Sequence, residues 1–110
     1  MLKWDETEFI ECLESIPEEI VDELVGNLYI FNVTGNGIQL ELKVYPKLSD
    51  VSIKIININD KSIVFEYYIF DCESVNYQKL INDDERLRFI SSAGIEIYIS
   101  TRPNINVRIK

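Results

Sequence analysis

The chain has 110 residues and a mass of 12.9 kDa, the size of one domain, with an expected folded surface of roughly 6,300 Å². Hydrophobic residues at 46% exclude a disordered chain, and charged residues at 27% exclude a membrane span. Histidine is absent and the formal net charge is −8, which removes the commonest general base and zinc ligand and sets the overall field against phosphate.

The excess charge lies in residues 1–26, where Lys3 stands against Asp5, Glu6, Glu8, Glu11, Glu14, Glu18, Glu19, Asp22 and Glu23; the remainder of the chain is neutral overall. The first local signal is Asp5-x-x-Glu8, a capping pattern for a helix start. Trp4 and Phe9 flank it at the spacing of a hydrophobic staple. Phe9, Cys12, Leu13 and Ile16 then share one helical face, with Glu8, Glu11 and Glu14 opposite. Ser15 and Pro17 suit a second helix start, Ile20, Val21, Leu24 and Val25 give it an apolar side, and Gly26 suits its C-terminal cap. Residues 1–26 therefore read as an acidic helical segment, whose charged exterior is either a solvated helix face or a surface for a basic partner.

From residue 28 the apolar period drops to two. Segments 28–34 and 38–45 flank Gly35-Asn36-Gly37, a hairpin turn that needs positive φ. Segments 51–58 and 63–71 form a second hairpin across Asn59-Asp60-Lys61-Ser62, and the adjacent Ile55 and Ile56 predict a bulge or two-sided burial. Residues 72–85 lack alternation and read as a short helical or irregular crossover. Segments 86–91, 95–100 and 104–110 complete the strands, divided by Gly94 and Pro103. The expected fold is α+β, a single domain in which N-terminal short helices pack on a mostly antiparallel sheet body, 27–110, of about six to seven strands. Those strands have three ways to close: one open sheet, a partial barrel, or two sheets.

No catalytic constellation emerges. Glu41 and Glu66 offer a carboxylate pair, but glutamates facing Lys43, Lys54 and the arginines across strands are ordinary surface pairs. Cys12 and Cys72 form no spaced motif and have no histidine to activate them, so they read as reduced core thiols. Asp83-Asp84-Glu85 lacks the spacing of a calcium loop. No cofactor or metal site is expected. Tyr45, Tyr68 and Tyr98 share parity with Arg86, Arg88 and Arg108, but Glu66 and Glu96 alternate with them. One mixed polar face is expected, either plain sheet surface or, as a functional surface, one suited to protein contacts rather than to nucleic acid. The opening residues lack a secretory leader or membrane anchor, so a cytoplasmic setting is expected.

Trp4 ahead of an acidic amphipathic segment leads into Tyr29-Ile-Phe-Asn-Val, Gly35-Asn-Gly and Ile38-Gln-Leu-Glu-Leu, and later Leu87-Arg-Phe-Ile and Ile95-Glu-Ile-Tyr-Ile. This order resembles the small β-rich immunity-protein families of bacterial polymorphic toxin systems. The resemblance implies a cytosolic, non-catalytic protein that binds a cognate toxin domain, often a basic nuclease. It implies no contact residues. On charge alone, Glu8, Glu11, Glu14, Glu18, Asp22 and Glu23 are the residues to attract a basic partner and mimic phosphate, with Tyr68 and Tyr98 as aromatic anchors. The alternative is a small accessory subunit that joins a larger assembly through an exposed sheet edge.

Overall fold

The computed structural model describes residues 1–81 and 84–110. Its elements are helix α1 (Glu6–Leu13), strands β1 (Glu18–Asp22), β2 (Gly26–Gly35) and β3 (Ile38–Tyr45), a 3₁₀ turn (Pro46–Leu48), and strands β4 (Asp50–Asn57), β5 (Ile63–Ile69), β6 (Cys72–Lys79), β7 (Glu85–Ser91), β8 (Glu96–Ser100) and β9 (Asn106–Ile109). They form two antiparallel meanders, β1-β2-β3-β4-β5 and β6-β7-β8-β9. The α+β class is as expected. The single sheet of six or seven strands is corrected to two sheets with nine strands among the described residues.

The helix begins as its sequence dictates. Asp5 Oδ1 accepts from the Thr7 amide at 2.8 Å, and Trp4 packs edge-on against Phe9 with centroids 5.0 Å apart. Phe9, Cys12 and Leu13 are buried. The helix then stops at Glu14, whose φ of 52° is left-handed, so Ile16 never joins the apolar face and is exposed.

The expected second helix is a strand instead. Ile16 precedes a proline, which disfavours helical backbone there, and residues 18–22 pair with β2 from Glu18↔Ile30 to Asp22↔Gly26. Asp22 Oδ1 accepts from the Leu24 and Val25 amides at 2.7 and 3.1 Å and closes the hairpin turn. Gly26 serves that turn rather than a helix cap. Its φ is +82°, and an added Cβ would lie 3.0 Å from the Lys47 side chain. The backbone ladder of a neighbouring strand has overridden local helical periodicity.

Elsewhere the period-two segments behave as written. Asn36 and Gly37 take φ of 52° and 79° at the β2–β3 turn, and the β4–β5 register shifts between Ile55 and Ile56. Residues 72–79, expected to be irregular, form β6, which also shows a register shift between Cys72 and Ser74. That bulge is what disrupts the alternation in the sequence.

The two sheets share one core. Phe31, Leu40, Leu42, Val44, Val51 and Ile53 from the first meet Val75, Leu87, Phe89, Ile97 and Ile99 from the second. Phe9 touches both, lying 5.4 Å from Phe31 and 5.9 Å from Phe89 between centroids. The N-terminal segment adds a second tie. The Leu2 amide donates to Pro46 O at 3.0 Å, while Lys3 exchanges bonds with Glu73 and Val75 of β6. With both inner faces buried, the two outer faces point away from each other.

Candidate partner-binding surface

On the first sheet, the core parity of Leu40, Leu42 and Val44 leaves Glu41, Lys43 and Tyr45 outward. The registers Glu41↔Lys54↔Glu66 run straight across β3, β4 and β5. Lys54 Nζ lies 4.0 Å from Glu41 and 3.6 Å from Glu66, so the two carboxylates considered for acid–base chemistry flank a lysine. Tyr68 is exposed on this face and stacks on the exposed Phe70 with centroids 6.2 Å apart.

On the second sheet, Asn76↔Arg88↔Tyr98↔Arg108 forms one transverse row. Arg86 stands 4.2 Å above the Tyr98 ring and Lys110 lies 5.5 Å from it. Tyr98 is therefore only 8% exposed although it sits on an outer face. Glu96 accepts from Arg88 and from the Tyr98 hydroxyl. The mixed polar face expected from parity does not exist, because parity says which side of a strand a residue occupies but not which sheet holds the strand. Tyr68 belongs with Glu41 and Glu66 on one face. Tyr98 belongs with Arg86, Arg88 and Arg108 on the other.

The acidic segment divides between two elements. Glu8, Glu11 and Glu14 lie on α1 or at its end, with Glu8 half-buried and the other two exposed. Glu14 is held by Arg102 Nη1. Arg102 Nη2 also pairs with Glu85 and donates to the Glu11 and Cys12 carbonyls at 3.3 Å. One guanidinium thus caps the C-terminal end of α1 and ties it to the second sheet. The sequence had marked neither Arg102 nor this junction. Glu18 and Asp22 lie on β1, all five of whose residues are exposed, and Glu23 is in the following turn. The Leu24 and Val25 amides that close the turn hold the Asp22 carboxyl below its usual range, the Val25 bond having the larger effect. Glu11, Glu18 and Glu23 make no ion pair among the described residues.

Beside these acids the structure exposes apolar side chains that a helix would have turned inward: Ile16, Ile20, Val21 and Leu24. The β1 edge is consequently apolar with an acidic surround.

The remaining candidates for chemistry are occupied structurally. Burial pushes both thiols, Cys12 and Cys72, up to about 11. Among the described residues no group of His, Cys, Asp and Glu is placed to hold a metal ion, and no helix is long and apolar enough to cross a membrane. Of the acidic run at 83–85, Asp83 lies outside the described residues, and Glu85 is taken by Arg102 and Tyr77.

No family model and no curated protein matches the chain. Among solved structures, it is similar to a chain of the contact-dependent growth inhibition toxin–immunity protein complex from Klebsiella pneumoniae 342. The likeness has a TM-score of 0.81 at 12% identity and covers 98% of this chain and 95% of that one. At that identity it shows shared architecture and transfers no residue roles. The β-rich architecture expected from the resemblance to immunity proteins is met, end to end, by a chain from a toxin–immunity complex.

Proposed function

We propose that this chain is a non-catalytic immunity protein that binds a cognate toxin domain and neutralises it in the cytoplasm. The observation that carries the proposal is the fold match over nearly the whole of both chains, to a structure that contains a toxin and its immunity protein. The sequence favours the immunity side of such a pair: it has no histidine and its net charge is −8, suited to a basic partner.

The binding surface in this reading is the α1–β1 region. Glu8, Glu11, Glu14, Glu18, Asp22 and Glu23 supply the attracting field. Ile20, Val21 and Leu24, exposed beside them, supply apolar contact that excludes water once the partner is seated. Electrostatics then governs encounter, and apolar burial governs residence. Tyr68 and Tyr98 lie on opposite outer faces, so one flat partner surface does not engage both with the acidic edge. Tyr68 is more than half exposed, whereas Tyr98 is covered by Arg86 and Lys110.

The test is co-expression with the product of the neighbouring reading frame, which this reading expects to be the cognate toxin. Restored growth together with a stable complex on co-purification supports the proposal. Continued toxicity with no complex overturns it in favour of the accessory-subunit alternative.

A further inference from the structure

Four cations crowd the outer face of the second sheet of a chain whose net charge is −8: Arg86 and Arg88 on β7, Arg108 on β9, and Lys110 just beyond it. Opposing them on that face is Glu96, already engaged by Arg88. Arg108 and Lys110 have no carboxylate at ion-pair distance among the described residues. Arg86 gives its Nε to Gln78 at 2.7 Å and makes no ion pair there either.

Arg86, Arg88 and Lys110 are held in place, Arg88 by Glu96. Arg86 and Lys110 lie against the Tyr98 ring, a contact that restrains their long side chains. Beside them opens a cleft of about 300 Å³, lined by Arg86, Tyr98, Ser100, Asn106 and Arg108 together with Asp84 and with Glu85, whose carboxylate is taken by Arg102 and Tyr77. Guanidinium groups next to hydroxyl and amide side chains form a recognition set for carboxylate, which arginine binds through paired N–H donors.

We infer that this face is a second protein-docking surface, which receives an acidic segment of the same cognate toxin whose basic part meets the α1–β1 edge. The inference rests on the proposed function for the identity of the partner, but the chemistry of the face does not depend on it. Two observations favour a short acidic protein segment over a nucleic acid. Tyr98 is covered by its cations and is not free to stack a base. The surplus acids elsewhere on the chain repel an extended polyanion. A few carboxylates meet neither obstacle. Attraction at one face and opposite attraction at the other fixes the orientation of the partner, as a single charged patch does not.

The experiment has two arms. In the first, the free chain is titrated with a short peptide of alternating glutamate and threonine and followed by NMR. Shifts concentrated at Arg86, Tyr98, Ser100 and Arg108, lost in the R108Q/K110Q variant, support the inference. Shifts scattered over the surface, or binding of a poly-thymidine oligonucleotide at this face instead, overturn it. Arg108 and Lys110 are exposed, and an unchanged amide spectrum away from the face verifies folding. In the second arm, the affinity of R108Q/K110Q for the cognate toxin domain of the proposed function is measured. A loss of about tenfold is expected, and unchanged affinity overturns the inference. If the wild-type chain fails to bind that toxin, the proposed function falls, and the peptide arm still decides the chemistry of the face.

Discussion

The five-stranded sheet and the four-stranded sheet are both antiparallel meanders, and they share one core, yet they meet solvent differently. The first balances Glu41, Lys43, Lys54 and Glu66 in a ladder and ends at β1, an exposed edge of acids and bare apolar side chains. The second gathers Arg86, Arg88, Arg108 and Lys110 around one covered tyrosine. Residues 27–110 are neutral by count, and that neutrality conceals a positive face. Net charge therefore describes only part of this molecule's surface; the division of charge between its two sheets supplies the rest.

The comparison depends on the sheets being held together, and the joint is where substitution should cost most. Phe9→Ala removes the ring that touches Phe31 and Phe89. A loss of about 3–5 kcal/mol is expected from urea unfolding, a large part of the stability of a domain this size. Arg102→Ala unties α1 from the second sheet. Because the side chain is 44% exposed, screening limits the loss to about 1–2 kcal/mol in the same measurement. Asp5→Ala removes the helix cap and should cost about 1 kcal/mol, with Asp5→Asn restoring most of it. Lys54→Met leaves Glu41 and Glu66 facing without their lysine, and should change stability by no more than about 0.5 kcal/mol. A much larger loss there would mean that the ladder, not the core, secures the first sheet.

The core itself offers a chemical check. Both thiols are buried with raised pKa values, so neither supplies appreciable thiolate near neutrality and native protein should resist iodoacetamide until unfolded. The folded state holds these protons more tightly than the unfolded state. Their contribution to stability is intact below about pH 9 and is lost as pH rises toward about 11. A urea midpoint that falls across that interval is the expected result.

What was legible in the sequence was local. The α1 cap, the Trp4–Phe9 staple, the Gly35-Asn36-Gly37 turn and the bulge at Ile55 and Ile56 are all set by a few adjacent residues. The misread segments share a different cause. At 18–22 a helical apolar period yielded to pairing with β2, and at 72–79 a bulge masked strand alternation. Partition into two sheets depends on which strands exchange hydrogen bonds, and alternation does not encode that. The same gap hid the candidate surfaces. The acids were visible by composition, but the apolar residues exposed between them follow from the missing second helix. The basic face follows from separating Tyr98 from Tyr68. Arg102 carried no local signal, since its partners lie 17 to 91 positions away.

The central claim is that an acidic edge draws this protein to a basic toxin. Its most direct test is the association rate with the cognate toxin domain of the proposed function, measured by stopped flow across a range of salt. The variant E11K/E18K/E23K leaves Asp22 in place to close its turn. It should associate about tenfold more slowly than wild type at low salt, with the difference vanishing near about 0.5 M. Equal rates at low salt would contradict the claim.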